Sequence, residues 1–300
     1  MRTAKTRLNV LDELEELYPF ARGLDYLVRT SDSHDSLREQ ILADWWRTLD
    51  ASIDRPFEVL DYGTGFGDLL WAIVAEAQHR GTVRPMALAV HDTDARLAAY
   101  AVRRFENLPR TSVRNRLSEE EGGQFDAVLA SHVLYYVADR PGLVQHLAGY
   151  TKPGGITTFV LRSTRCDTYA IRSLLIEATA DHDRPPRIEA DLVLEVLSDC
   201  GIVPAVSSVT STLRIPVDEV SFDHLVRGHP SSDATEAVRF VAHLSTKRPP
   251  HPAAVPALRS ALRQRQVGAH YQLALVDDVI SGAKPPCTTR TARRLSMFSI

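Results

Sequence analysis

The chain is short of several things, and each absence narrows what it does. Three cysteines, Cys166, Cys200 and Cys287, stand far apart with no C-x-x-C pair, which argues against a disulfide framework or a cysteine-held metal and for reduced thiols in a cytoplasm. No apolar run reaches transmembrane length, and Asp12, Glu13, Glu15 and Glu16 interrupt any leader-like stretch near the start, so neither a membrane span nor a secretory leader is expected. An excess of one charge is missing too. Lys and Arg number 35 against 38 Asp and Glu, and a net charge of −3 gives no global attraction to nucleic acid. Arg290, Arg293 and Arg294 cluster near the end and read as a solvated tail. The histidines form no H-E-x-x-H pair, no lysine follows Gly67 as a P-loop requires, and no G-x-S-x-G elbow occurs. No metal is expected.

What is present is a globular composition long enough for a full core plus a smaller subdomain. Everything is arranged around Val59-Leu60-Asp61-Tyr62-Gly63-Thr64-Gly65-Phe66-Gly67-Asp68-Leu69-Leu70. An apolar run ends in an acid, turns through three glycines at alternate positions, and continues with Ile73, Val74 and Ala77 at helical spacing. This predicts strand, tight loop and helix, with bare backbone and unpaired N–H groups offered to a ligand. A dinucleotide fingerprint needs a third glycine where this chain has Asp68. Carboxylates at Asp61 and Asp68 would repel a diphosphate, so the loop suits a cationic ligand better.

Further along, residues 8–18 carry a helical apolar stripe, and the polar stretch Asp25–Asp35 leads into a helix through Leu37, Ile41, Leu42, Trp45 and Trp46. Ser31, Asp32 and Ser33 suit helix capping as well as a substrate-covering loop. Met86–Val90 is a buried-strand candidate followed by His91, Asp92 and Asp94. A carboxylate there can accept hydrogen bonds from both ribose hydroxyls of a nucleoside; Asp92 is assigned that role, and Asp94 suits the cap of the next helix. Phe125–Ala130 is a further strand, with Ser131, His132, Tyr135 and Tyr136 at its carboxyl end. Asp139 and Pro141 open a helix, and Lys152-Pro153-Gly154-Gly155 forms a turn before the strand Ile156–Leu161. Alternation of strand and helix implies a parallel sheet. Thr168–Ala180 and Glu189–Cys200 read as helices, Val203–Val209 and Thr210–Val217 as an antiparallel pair of strands, residues 218–266 as helical, and Tyr271–Ile280 as a last strand or buried segment.

The glycine loop and the K-P-G-G turn resemble class I S-adenosylmethionine-dependent methyltransferases. The Leu134-Tyr135-Tyr136-Val137 segment, the loop ending in Ser33-His34 and the late helical region are similar to the histamine N-methyltransferase family, over roughly residues 20–280. The resemblance implies an α/β fold: a Rossmann-like, seven-stranded class I methyltransferase sheet with helices on both faces and a small helical substrate cap. It divides the chain into 1–50 (N-terminal helical cap and substrate loop), 51–217 (cofactor-binding core), 218–280 (helical cap insertion and closing segment) and 281–300 (mobile tail). It implies S-adenosyl-L-methionine as cofactor, held by Asp61, Gly63, Thr64, Gly65, Gly67, Asp92 and Ser131. It places Tyr26, Ser33, His34, Tyr135 and Tyr136 around the substrate. At least one of the two late tyrosines is better suited to core packing. Where the histamine enzyme has an acid before the loop histidine this chain has Ser33, and its glutamine after the fourth strand is His132 here. Its acid at the end of the second strand falls on His91 or Asp92.

The reading that follows is methyl transfer to a small nitrogenous molecule by a cytoplasmic monomer or homodimer without nucleic-acid or membrane partners. Most of the acceleration comes from aligning nucleophile, methyl carbon and sulfur. His132 is assigned as the base that deprotonates the acceptor, with substrate orientation as the alternative role. Competing readings are O- or C-methylation, a protein methyltransferase, and a non-catalytic cofactor binder.

Overall fold

The structure is a computed structural model that describes residues 21–49, 55–82, 84–115, 117, 122–179, 188, 190–227, 232–244 and 250–286. The helix expected over 8–18 and the segment from Cys287 onward lie outside the described residues. The described residues fall into two compact units. One takes in those within Met1–Ser36, Thr164–Pro186 and Thr210–Val276, the other those within Leu37–Ser163, Arg187–Val209 and Asp277–Ile300.

The larger unit carries most of the sheet. Strands β1 (Phe57–Tyr62), β2 (Met86–His91), β3 (Thr111–Arg114), β4 (Phe125–Ser131) and β5 (Thr151–Arg162) alternate with helices α3 (Asp68–His79), α4 (Ala95–Phe105) and α5 (Arg140–Tyr150), preceded by α2 (Ser33–Leu49). The strand order is β3-β2-β1-β4-β5-β8-β6, where β6 is Val203–Pro216 and β8 is His270–Ala283. Pairings from β3 to β5 are parallel, and β5 pairs with β8 antiparallel. Successive residues of each central strand feed different cores. Val59, Leu88, Val90, Ala127 and Leu129 pack with Ile41, Trp45, Leu70 and Ile73 of α2 and α3. Leu60, Ala89, Val128 and Ala130 pack with Leu143, Val144 and Leu147 of α5 and with Val193 and Leu197 of α7 (Ala190–Asp199). With both faces covered, parallel strands read as continuous apolar runs without alternation.

The Rossmann-like α/β architecture is the one expected, with eight strands instead of seven. The additional strand is β7 (Gln266–Val267), which lies off the main path and pairs with Tyr271 and His270 at the start of β8. Three local readings need correction. Val203–Val209 and Thr210–Val217 are not two paired strands; β6 runs unbroken to Pro216, since no Gly, Asn or Pro at Val209-Thr210 reverses the chain, and its neighbour is β8. The K-P-G-G segment lies inside β5, with a register shift between Phe125 and Ala127. Gly155 permits this, for a Cβ there would sit 2.9 Å from the Phe125 and Asp126 carbonyl oxygens. Finally, Ala21–Thr30 is a helix, α1, which leaves only Ser31-Asp32 as the link into α2. The short edge strand β3 carried too little apolar pattern to be anticipated.

The second unit is mostly helical: α1, α6 (Asp167–Thr179), α8 (Phe222–Arg227), α9 (Asp233–Ala242) and α10 (Ala254–Arg263) surround Leu27, Ile171, Leu175, Leu213, Val238, Leu258 and Leu273. Helix α1 lies close against α9 because residue 23 is glycine; a Cβ there would meet the Glu236 carbonyl oxygen at 2.4 Å. Among the described residues no helix is long and apolar enough to cross a membrane.

Candidate active site

Between the end of β1 and the start of α3 the chain reverses over Gly63–Gly67. The Gly63 and Thr64 N–H groups both donate to the His91 carbonyl, at 2.7 and 3.0 Å, which ties the loop to the end of β2. Gly63 has φ +73°, and a Cβ there would lie 2.0 Å from Val133 Cγ1. No other residue satisfies both conditions. Gly65 differs. Its φ is +54°, yet a Cβ added there would meet nothing within 4 Å. The protein leaves that side of the loop open.

Two carboxylates border the opening. Asp61 is 4 % exposed and accepts a hydrogen bond from Thr64 Oγ1 at 2.7 Å. Burial pushes its carboxyl up to about 7; the Thr64 hydroxyl opposes this and the charge of Asp92 adds to it. Among the described residues no cation contributes. Asp92 accepts from Gly65 N–H through Oδ2 and from Asp94 N–H through Oδ1, each at 2.9 Å, so its carboxylate fastens the end of β2 to the open glycine. Asp94 caps α4, accepting from Arg96 N–H. Asp68 is the first residue of α3 and forms an ion pair with Arg104 at 2.8 Å. Tyr62 and His91 close this end of the sheet, their rings 4.6 Å apart.

The second group lies at the carboxyl end of β4. Ser131 ends the strand opposite Val160, and His132 follows in the left-handed region at φ +58° with its N–H donating to the Val160 carbonyl at 2.9 Å. A histidine takes that conformation more readily than most residues, but it is a marked position. The His132 ring stacks on Tyr135 at 6.2 Å between centroids, and the Tyr135 hydroxyl accepts from Arg162 N–H at 2.5 Å. Tyr136 is 68 % exposed and meets Tyr135 edge-on. Two residues passed over in the sequence complete the group. Arg162 and Asp277 face each other across β5 and β8. Asp277 is 1 % exposed, with Arg162 Nε at 3.1 Å and His132 Nε2 at 3.7 Å from its Oδ1. The available signal was an acid in the middle of the apolar run Tyr271–Ile280.

Tyr26, Ser33 and His34 belong to the other compact unit. Tyr26 is buried among Leu27, Leu213 and Ile215, its hydroxyl directed to the Arg214 carbonyl at 3.4 Å; burial raises its phenol and Glu219 adds to the rise. Ser33 is buried at the start of α2, and His34 is partly buried. Asp32 accepts from Thr212 N–H at 2.6 Å and Ser31 bridges to Leu213, so part of this polar stretch ties α1 to β6. Among the described residues no cluster of His, Cys, Asp or Glu is arranged to hold a metal.

A family model described as a methyltransferase domain matches residues 34–187. That span is more than half of the chain and includes the glycine loop, Asp92 and His132. The chain belongs to the methyltransferase-domain family. This methyltransferase uses S-adenosylmethionine as its cofactor, and the residues present fit it: a bare glycine backbone with an open side, bordered by Asp61 and Asp92, which no cation among the described residues offsets, accommodates a positively charged sulfonium. The fold is similar to those of several solved proteins. A Bacillus halodurans protein described as a candidate methyltransferase is 15 % identical with a TM-score of 0.48, covering 81 % of this chain and 99 % of its own. A Galdieria sulphuraria protein described as a candidate sarcosine dimethylglycine methyltransferase is 13 % identical with a TM-score of 0.47, covering 84 % and 86 %. Haemonchus contortus phosphoethanolamine N-methyltransferase 2, solved with S-adenosylhomocysteine, is 14 % identical with a TM-score of 0.44, covering 82 % and 52 %. No curated protein matches the sequence.

Proposed function

We propose that this methyltransferase acts on a small nitrogenous molecule, methylating an amine or imidazole nitrogen, as its resemblance to the histamine N-methyltransferase family implies. The observation that carries the reading is the contact between the two groups. Val133 Cγ1 occupies the space where a Gly63 side chain would be, so an imidazole sits one residue from a side chain packed against the cofactor loop. In this reading Asp61, Gly63, Thr64, Gly65, Gly67, Asp92 and Ser131 hold the cofactor. When bound, S-adenosylmethionine supplies an electrophilic methyl carbon. The chain's own part is to align the acceptor nitrogen and to take its proton. An imidazole at His132 is the chemical group suited to that task, and the ring faces of Tyr135 and Tyr136 offer a cationic acceptor favourable contact.

The test is mass spectrometry of the purified protein incubated with S-adenosylmethionine and a panel of imidazoles, aryl amines, amino acids and phenols. Methylated amines or imidazoles support the reading, and His132→Gln then lowers turnover by about a hundredfold or more. Methylated phenols alone move the assignment to oxygen. A His132→Gln variant with unchanged turnover across pH removes the base.

A further inference from the structure

We infer that Asp277 is a positioning residue for methyl transfer: its carboxylate holds His132 with Nε2 protonated, so that Nδ1 presents the lone pair that receives the acceptor's proton. The inference rests on the reading of His132 as the base.

The geometry supports it from three sides. Asp277 lies on β8, far from His132 in sequence, yet its Oδ1 is 3.7 Å from His132 Nε2. That is beyond a hydrogen bond, but such contacts in a site without its substrate are often long and tighten when it binds. The backbone of His132 is anchored to Val160, and its ring stacks with Tyr135 at 6.2 Å between centroids. Tyr135 is anchored in turn by Arg162 N–H. The charged groups beside the ring among the described residues include Asp277 from β8 and Arg162 from β5, whose Nε lies 3.1 Å from the same carboxylate oxygen. Arg162 shares the carboxylate's charge and limits how far Asp277 can bias the imidazole toward its cation. The neighbouring Asp278 is engaged elsewhere, accepting from Ser208 Oγ at 2.7 Å. In the step itself the acceptor's N–H bond breaks and an Nδ1–H bond forms, while the pair left on nitrogen takes the methyl carbon, whose bond to the cofactor sulfur would break with its own pair remaining on sulfur. The resulting imidazolium has its Nε2–H beside a carboxylate, where its charge is stabilised.

The experiment is a pH titration of the full chain labelled with 15N-histidine, following two-bond 1H–15N correlations of the His132 ring. The expected result is the Nε2–H tautomer in the native protein and a midpoint lowered by about one pH unit in Asp277→Asn, with Asp278→Asn unchanged. An Nδ1–H tautomer, or the same midpoint in native protein and Asp277→Asn, overturns the assignment. Because Asp277→Asn leaves Arg162 buried beside an amide, Asp277→Asn/Arg162→Gln is measured alongside, and the native tautomer is read without any substitution. The two possible failures are separable. Loss of the coupling in these spectra overturns the role of Asp277 alone, whereas unchanged turnover in His132→Gln overturns the base reading and this inference with it.

Discussion

Asp126 and Asp61 are both buried, 3 % and 4 % exposed, on the adjacent strands β4 and β1. Their surroundings are opposite. Asp126, near the start of β4, receives both Nη groups of Arg55 at 2.7 and 2.8 Å, Glu58 N–H at 2.9 Å, Lys152 Nζ at 3.0 Å and Arg84 Nη2 at 3.3 Å. Burial alone would raise its carboxyl, but these donors hold it below the ordinary range. Asp61, near the end of β1, has a threonine hydroxyl and another carboxylate, and burial raises it to about 7. Near the start of β4 the buried charge is therefore offset by cations, and near the end of β1, among the described residues, it is not. This contrast distinguishes the two acids where solvent exposure does not, since their exposure is nearly the same.

Three substitutions sharpen the comparison. The largest effect is expected from Asp126→Ala, which leaves Arg84, Lys152 and Arg55 around an empty position. Stripping one member from such a buried network costs about 3–5 kcal/mol, and urea denaturation should report it. Asp61→Asn should act through pH. A carboxyl that binds its proton more tightly in the folded than in the unfolded chain stabilises the fold at low pH. That contribution is lost as pH rises from about 4 to about 7, on the order of 4 kcal/mol at most. Thermal melts of the protein without cofactor should show this decline in the native chain and a flatter profile in Asp61→Asn; parallel profiles would mean that Asp61 ionises as freely as in the unfolded chain. The smallest effect belongs to Asp94, a partly exposed carboxylate whose charge is taken up by Arg96. Asp94→Ala removes a helix cap and a surface ion pair and should cost about 1 kcal/mol in the same denaturation measurement, with no change in affinity for S-adenosylhomocysteine by calorimetry.

Much of the larger unit was legible because its signals are local. The apolar run into Asp61 and the helical spacing of Leu69, Leu70, Ile73, Val74 and Ala77 correspond to β1 and to the residues that α3 buries. Asp94 and Asp139 cap the helices they were assigned to. The errors arose where tertiary contacts override local preference. The K-P-G-G segment has turn residues but is drawn into β5 by pairing with β4, and β6 continues past Val209 because β8 is there to pair with it. The polar residues of 21–35 look like loop because their partners, Arg214 and Thr212 among them, are distant in sequence.

The sequence alone determined the glycine loop, the acids beside it, the parallel sheet covered on both faces, and the placing of His132 just beyond a buried strand. These follow from backbone sterics and side-chain periodicity within a few residues. Only the tertiary structure decided which acids are neutralised and which are not. Asp126, Asp92 and Asp277 are alike as letters, and what distinguishes them is the company that strand pairing brings: three cations for the first, an open glycine for the second, an arginine and a histidine for the third. Charge is settled by neighbours across the sheet, and those neighbours lie far apart along the chain.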